Sequence, residues 1–180
     1  GFSNYMWNSE LSLSIARCLK EINPEIIIII GGPNYPIELD QQREYLIQHP
    51  EIDFYVPHEG EVCFTEILKV LISNNMDVNA LKGQLASVHS VDANGKFTTG
   101  SGHTNRVLNL DQIPSPYLSG KFDEFFDGRL WPLIQTKRGC PFKCTFCTEG
   151  LDYYTKISRF STTKIQSEIE FIGAKMCKVR

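Results

Sequence analysis

The run Ile26-Ile27-Ile28-Ile29-Ile30, followed at once by Gly31-Gly32-Pro33, decides the fold class of this chain. Five consecutive β-branched residues without polar alternation are typical of a parallel strand that is covered on both faces. Glycines at the carboxyl end of such a strand let the backbone approach a ligand closely, and open α/β sheets bind ligands at this edge. A tight turn without a ligand is the alternative explanation of the glycine pair.

Regular elements alternate on both sides of the isoleucine run. Apolar periodicity predicts one helix after Ser9, its N-cap, and another over residues 36–48. A short strand over 53–56 and a helix that begins near Glu59-Gly60-Glu61 follow. The helix dipole favours negative charge at a helix start, so structural capping alone would explain the two glutamates. This alternation of helices and strands is typical of a doubly wound α/β domain.

Two of the predicted helices carry an apolar stripe that we expect to face the core. The first stripe comprises Leu11, Ile15, Cys18, Leu19 and Ile22, and the other comprises Phe64, Ile67, Leu68 and Leu71. Three scattered cysteines, Cys18, Cys63 and Cys177, are interpreted as ordinary packing residues, because a free cysteine behaves as a small hydrophobe.

The composition changes in the second half of the chain. Residues 85–99 predict a β-hairpin with a Gly-containing turn, and residues 100–125 predict a polar linker laid over the surface. Residues 131–136 predict a strand, and Ser161 is expected to cap a helix. The predicted division is therefore a first domain over 1–75, a hairpin and linker over 76–125, and a second domain over 126–180.

Charge and cysteine usage exclude several classes of protein. Lys and Arg number 18 against 21 Asp and Glu, which gives a net charge of −3 and no strong attraction for nucleic acid or anionic lipid. The apolar run over 26–30 is far too short to span a bilayer, so no membrane association is expected. The 6 cysteines among 180 residues do not form the framework of a small secreted protein, and a reducing, cytoplasmic location is predicted.

The segment Arg138-Gly139-Cys140-Pro141-Phe142-Lys143-Cys144-Thr145-Phe146-Cys147 places three cysteines at the spacing C-x3-C-x2-C. Three thiolates this close repel each other and oxidise readily, and a bound metal removes both problems. A structural zinc requires four tetrahedral ligands, and only Cys177 is available as a fourth thiolate. A 4Fe–4S cluster on three cysteines leaves one iron open to a non-protein ligand, which implies chemistry. The residues favour the cluster and leave zinc as the alternative.

This loop resembles the signature of the radical S-adenosylmethionine (radical SAM) superfamily in its Arg-Gly-Cys-Pro start, its cysteine spacing and the aromatic residue before the last cysteine. The resemblance implies that Cys140, Cys144 and Cys147 bind a 4Fe–4S cluster, whose open iron is chelated by SAM. It also implies that Phe146 lies near the adenine of SAM. The loop would follow the first strand of a β/α barrel, at 131–136, and the next helix would complete the first β/α unit.

The first half of the chain resembles the second half of the cobalamin-binding domain that precedes the barrel in one large radical SAM class. The resemblance implies that Ser3 and Gly31-Gly32 surround the buried nucleotide tail of cobalamin, and that Glu59 and Gly60 also contact the cofactor. The Asp-x-His-x-x-Gly motif, which supplies a lower axial histidine in many cobalamin proteins, does not occur, so we expect either that it lies upstream of Gly1 or that cobalamin is bound without a histidine ligand. His58 stands where many relatives have glycine, and a surface loop histidine is favoured over a cobalamin contact. The implied fold is the C-terminal part of a Rossmann-like cobalamin-binding domain followed by the start of a radical SAM barrel.

The resemblance implies an enzyme that cleaves SAM reductively to a 5′-deoxyadenosyl radical and uses cobalamin to methylate, or to help cyclise, an unactivated carbon. The implied partners are a small-molecule substrate and an external electron donor of the flavodoxin or ferredoxin type, with no nucleic acid and no membrane. A radical SAM enzyme without cobalamin, such as a methylthiotransferase, and a non-catalytic cobalamin module with a structural zinc loop are the alternatives. Because a full β/α barrel needs about 200 residues, we interpret the chain as an internal fragment.

Overall fold

The structure is a computed structural model that describes residues 1–92, 94–100 and 106–177, without the side chain of Ala80. The chain folds as two compact units, Gly1–Arg106 and Val107–Arg180. The hairpin lies within the first unit, so the compact units differ from the predicted division at 75 and 125. Residues 101–105 of the predicted linker lie outside the described residues.

The first unit is built on a parallel sheet of β1 (Phe2–Ser3), β2 (Ile29–Gly31) and β3 (Phe54–Val56), in the order β1-β2-β3. The isoleucine run therefore contains the central parallel strand, as predicted, although only its last residues pair. The other elements of this unit are α1 (Ser9–Ile22), α2 (Leu39–Gln48), α3 (Gly60–Ser73), α4 (Val78–Leu81), β4 (Ser90–Val91) and β5 (Phe97–Thr98).

Both faces of β2 are covered, and successive isoleucines point to opposite sides. Ile28 and Ile30 pack with Leu13 and Ala16 of α1, whereas Ile29 packs in a separate cluster that includes Ile67 of α3. Ile28, Ile29 and Ile30 are buried, and Ile26 and Ile27 are partly buried. The absence of polar alternation in the run is explained by this double coverage.

The predicted hairpin is present as a separate two-stranded sheet, and a single isolated bridge joins it to β3. β4 and β5 pair antiparallel, with Ser90 opposite Thr98. The amide groups of Tyr55 and His89 donate to each other's carbonyl oxygens at 2.8 Å, which fixes the hairpin against β3. The first unit is therefore a mixed α/β structure.

The predicted buried face of α1 is wrong except at Leu19, which is partly buried against the core. The residues that face the sheet are Ser12, Leu13 and Ala16, and Leu11, Ile15, Cys18 and Ile22 are exposed. The Ser12 hydroxyl donates to the Ser3 carbonyl at 3.3 Å, which makes burial of this polar side chain favourable. The N-cap is Asn8, one residue before the predicted Ser9, and its Oδ1 accepts from the Tyr5 amide at 2.8 Å.

On α3 the predicted face is correct in part. Ile67 and Leu71 are buried as expected, but Phe64 and Leu68 are exposed and Cys63 takes their place in the core. The packing role is therefore confirmed for Cys63. It is wrong for the two exposed cysteines, Cys18 and Cys177.

The second unit contains two short strands and one long helix. β6 (Lys137–Arg138) and β7 (Ser158–Arg159) pair antiparallel, and α5 spans Thr162–Met176. The N-cap of α5 is Ser161, as predicted, and its hydroxyl accepts from the Lys164 amide at 3.1 Å. Short 3-10 turns occur at Leu110–Gln112, Asp123–Phe125, Thr148–Gly150 and Asp152–Tyr154.

The predicted strand over 131–136 does not form. These residues pair with no strand among the described residues, and Trp131 and Leu133 are 83% and 86% exposed. A parallel barrel strand needs a parallel neighbour to accept its hydrogen bonds, and the described part of this unit includes no such neighbour. The backbone of Leu133 instead bonds the Tyr117 hydroxyl.

The predicted linker is not confined to the surface. Leu110 is fully buried and Tyr117 is largely buried.

In the described residues no helix combines the length and apolar character that a membrane crossing needs.

Candidate functional site

A cavity of about 520 Å³ lies at the carboxyl edge of the parallel sheet in the first unit. The last residues of all three strands, Ser3, Gly31 and Val56, line it, together with Gly32 and Gly60. The structure thus brings together four of the five residues predicted to contact cobalamin. Their contact with that cofactor stays a prediction.

The fifth predicted residue, Glu59, is not among the residues that line the cavity. Its carboxylate forms an ion pair with Arg106 at 3.2 Å, and the two side chains are only 11% and 8% exposed. Glu61 and His58 line the cavity instead, so His58 faces this space and is not simply a surface loop residue.

The glycines at the carboxyl edge of the sheet differ in how closely other atoms approach them. A Cβ on Gly31 would lie 3.0 Å from the Val56 carbonyl oxygen, and one on Gly32 would lie 2.5 Å from the Asn4 carbonyl oxygen. Close packing of protein backbone therefore accounts for this pair. A Cβ on Gly60, which also lines the cavity, would in contrast meet no atom within 4 Å, so protein packing does not require glycine here.

Aromatic side chains at this edge were missed by the sequence reasoning. Tyr5 lines the cavity. The ring of Trp7 stacks on the ring of Tyr5, with the two centroids 4.7 Å apart. Trp7 is 78% exposed. Their position directly after β1, at the ligand-binding edge of a parallel sheet, is the signal that would have identified them.

Two histidines influence each other near this edge. Burial, followed by repulsion from His58, lowers the pKa of His89 to about 4. His89 is therefore neutral at neutral pH, and its Nδ1 lies 3.3 Å from the Tyr35 hydroxyl. The backbone of His89 pairs with that of Tyr55 in β3 and so helps to hold this strand in place.

The cysteine loop of the second unit is clamped at its start. Gly139 has φ +97°, and a Cβ there would lie 2.5 Å from the Lys156 carbonyl oxygen. The Cys140 amide donates to the Tyr154 carbonyl at 2.9 Å. A residue other than glycine at position 139 would separate these two segments.

The rest of the loop closes on itself. The Cys147 amide donates to the Cys144 carbonyl at 3.2 Å, and the Gly150 amide donates to the Cys147 carbonyl at 2.9 Å. A Cβ on Gly150 would overlap the Cys144 carbonyl oxygen. Backbone contacts therefore fix the positions of Cys144 and Cys147 relative to each other.

The donor set of this loop fits a cluster. Cys140 is half-buried, Cys144 and Cys147 are exposed, and all three are free thiols. Among the described residues no three His, Cys, Asp or Glu side chains are grouped round one point as a single metal ion requires. In a 4Fe–4S cluster the thiolates bind different irons, so three thiols from one loop, without a fourth, match a cluster with one open iron. Phe146, between the last two cysteines, is 91% exposed.

No protein-family profile matches the chain. Over 177 residues, which are 95% of this chain and 25% of the relative, the sequence is 31% identical to the cobalamin-dependent radical SAM methyltransferase TokK of Streptomyces tokunonensis. The chain is a homologue of one segment of the cobalamin-dependent radical SAM enzymes. It is also 30% identical, over 95% of its length, to the 2-(S-pantetheinyl)-carbapenam-3-carboxylate methyltransferase of Streptantibioticus cattleyicolor.

This homologue of the cobalamin-dependent radical SAM enzymes spans about a quarter of the length of the curated relatives it matches. Among solved structures it resembles the cobalamin-dependent S-adenosylmethionine radical enzyme OxsB, determined with aqua-cobalamin and S-adenosylmethionine bound. The TM-score is 0.65 at 18% identity, with 99% of this chain and 23% of that chain covered. This likeness shows a shared fold.

Proposed function

We propose that the protein is a radical SAM enzyme in which Cys140, Cys144 and Cys147 hold a 4Fe–4S cluster. The observation that carries the proposal is the closed loop of three free thiols, in a chain homologous to radical SAM enzymes. When bound there, the cluster would supply the single electron, taken from an external donor, for reductive cleavage of SAM to methionine and a 5′-deoxyadenosyl radical.

The residues of the loop position the cluster and SAM. Gly139 and Gly150 keep the loop closed, since a side chain at either position would collide with backbone. Phe146 offers an exposed aromatic face on which an adenine ring stacks. In this proposal the second unit is the beginning of a radical SAM barrel.

The cavity of the first unit supports cobalamin as the second cofactor. Ser3, Gly31, Gly32 and Gly60 present small side chains and backbone to it, which lets a large cofactor approach the sheet edge closely. His58 and Glu61 add polar groups. In this proposal the first unit is part of a Rossmann-like cobalamin-binding domain, and Glu59 acts through its ion pair with Arg106.

The reaction proposed is methylation of an unactivated carbon of a small molecule, and ring formation is the alternative outcome. The names of the two relatives reported above specify methyltransferases, which favours methyl transfer. A flavodoxin or ferredoxin type of protein is proposed as the electron donor. Exposed thiols that must stay reduced favour the cytoplasm as the compartment.

Anaerobic reconstitution of the intact protein with iron and sulfide tests the proposal. About four irons per protein are expected, and they should be lost when the three loop cysteines are replaced by alanine. The Cys18→Ala variant, which changes an exposed thiol outside the loop, is the matched control and should keep its iron. Stoichiometric zinc without iron would contradict the proposal. Iron without retained cobalamin would favour a radical SAM enzyme that lacks cobalamin.

A further inference from the structure

Asn4 joins two of the segments that line the cavity of the first unit. It follows Ser3 directly at the end of β1, and only 2% of it is exposed. Its amide donates to the Gly31 carbonyl at 2.6 Å, and its own carbonyl accepts from the Asn34 amide at 3.2 Å. Its backbone therefore connects the end of β1 to the turn that follows β2.

The side chain of Asn4 repeats this connection. Its Nδ2 donates to the Asn34 carbonyl at 2.6 Å, and its Oδ1 accepts from the Asn34 side-chain amide at 3.2 Å. The same Nδ2 donates to the Tyr55 hydroxyl at 3.0 Å, and that hydroxyl donates to the Gly32 carbonyl at 2.9 Å. A continuous chain of hydrogen bonds thus runs from Asn4 through Tyr55 to Gly32.

The network is held in a rigid aromatic surrounding. The ring of Tyr55 stacks on Tyr35 with centroids 3.8 Å apart, and Tyr45 lies edge-on to both rings. Buried polar networks of this kind specify one arrangement, because each unmade bond would leave a buried group without a partner. The network therefore reinforces the pairing of Ser3 with Gly31 in the sheet and ties the turn at Gly32 to the end of β1.

We propose that Asn4 is a positioning residue that presets the end of β1 at Ser3 and the Gly31-Gly32 backbone for the nucleotide tail of cobalamin. The inference rests on the proposed function, and it adds a residue that does not itself line the cavity. It predicts that Asn4 matters for the nucleotide part of the cofactor and not for its corrin ring.

Binding of hydroxocobalamin and of cobinamide, which lacks the nucleotide, to the intact protein tests this role. The unaltered protein is expected to bind cobalamin more tightly than cobinamide. In Asn4→Asp the side chain keeps its shape but cannot donate to the Asn34 carbonyl or to Tyr55. We expect cobalamin affinity to fall about tenfold or more, with cobinamide affinity unchanged.

Two further variants keep the test decisive. Tyr55→Phe removes only the hydroxyl that links Asn4 to Gly32, and it should also reduce the preference for cobalamin over cobinamide. It replaces Asn4→Asp in the test if that variant does not fold. Leu71→Ala, a buried change near the far end of α3, should lower stability without changing the ratio of the two affinities. Equal loss of both ligands in the folded Asn4 or Tyr55 variants would overturn the inference. Failure of the unaltered protein to bind cobalamin at all would overturn the proposed function as well.

Discussion

Gly32 lies so close to Asn4 that a Cβ on Gly32 would be 2.5 Å from the Asn4 carbonyl oxygen and 2.9 Å from its amide nitrogen. The Gly32 φ angle is +133°, a conformation that residues with a side chain rarely adopt. Gly32→Ala should therefore destabilise the protein by roughly 3 kcal/mol or more, because backbone strain and a backbone collision act together. Urea unfolding of the intact protein measures this loss.

The control for this substitution is Gly95→Ala in the hairpin turn. Gly95 has φ +75°, and nothing lies within 4 Å of its Cβ position, so only the strain of a positive φ is expected. That strain costs roughly 1–2 kcal/mol. Equal losses in the two variants would show that the contact between Gly32 and Asn4 is unimportant.

Gly60→Ala separates stability from cofactor binding. The added Cβ meets no protein atom, and alanine favours a helix start over glycine, so stability should stay equal or rise by up to about 1 kcal/mol. Because the Cβ enters the cavity, cobalamin affinity should fall. Gly173→Ala on α5, also without a neighbour within 4 Å, should leave cobalamin affinity unaffected. Unchanged cobalamin binding in Gly60→Ala would remove Gly60 from the proposed site.

The central strand could be predicted from the sequence, whereas the orientation of α1 could not. An unbroken isoleucine run has no other simple explanation than burial on both faces. For α1, periodicity shows an apolar stripe but does not show which side meets the sheet. The bond from Ser12 to the Ser3 carbonyl, which belongs to the face that is actually buried, leaves no mark in the local sequence.

The candidate site shows the same division. The glycines at the end of β2 follow from local pattern, because the carboxyl ends of parallel strands meet at one edge. The ion pair of Glu59 with Arg106 joins positions 47 residues apart, and no local spacing predicts it. The strand expected over 131–136 depends on partners from elsewhere in a barrel, and such pairing is not encoded in the strand itself.

The Glu59–Arg106 pair should behave as a structural unit. Arg106→Met leaves the shielded Glu59 carboxylate without this cation. Breaking such a buried pair lowers the free energy of unfolding by roughly 3–5 kcal/mol. The double variant Glu59→Leu with Arg106→Met should lose less than the sum of the two single variants, because neither charge is then left without the other. A double-mutant cycle by urea unfolding gives the coupling energy. Strictly additive losses of unfolding free energy would show that Glu59 and Arg106 are not coupled.

The lowered pKa of His89 makes stability depend on pH. Its pKa is about 4 in the folded protein, against about 6.5 in the unfolded chain. The unfolded chain therefore binds more protons between these values, so stability is fully present above pH 6.5 and falls as the pH drops toward 4. The total loss from this group is on the order of 3 kcal/mol.

His89→Asn isolates this contribution, because asparagine does not titrate. Unfolding free energies of the intact protein, measured from pH 7.5 to pH 4, should fall less steeply in this variant than in the unaltered protein. Carboxylates titrate in both proteins, so the difference between the two curves is the relevant quantity. Parallel curves would show that His89 is not held neutral by burial.

Formation of 5′-deoxyadenosine from SAM by the reduced, reconstituted intact protein tests the central claim most directly. The account predicts that this product forms, and that Cys140→Ser, Cys144→Ser and Cys147→Ser each abolish it, whereas Cys18→Ser, outside the loop, retains it. Product formation that survives loss of the three loop cysteines, or its absence from a protein that holds its full complement of iron, would contradict the account.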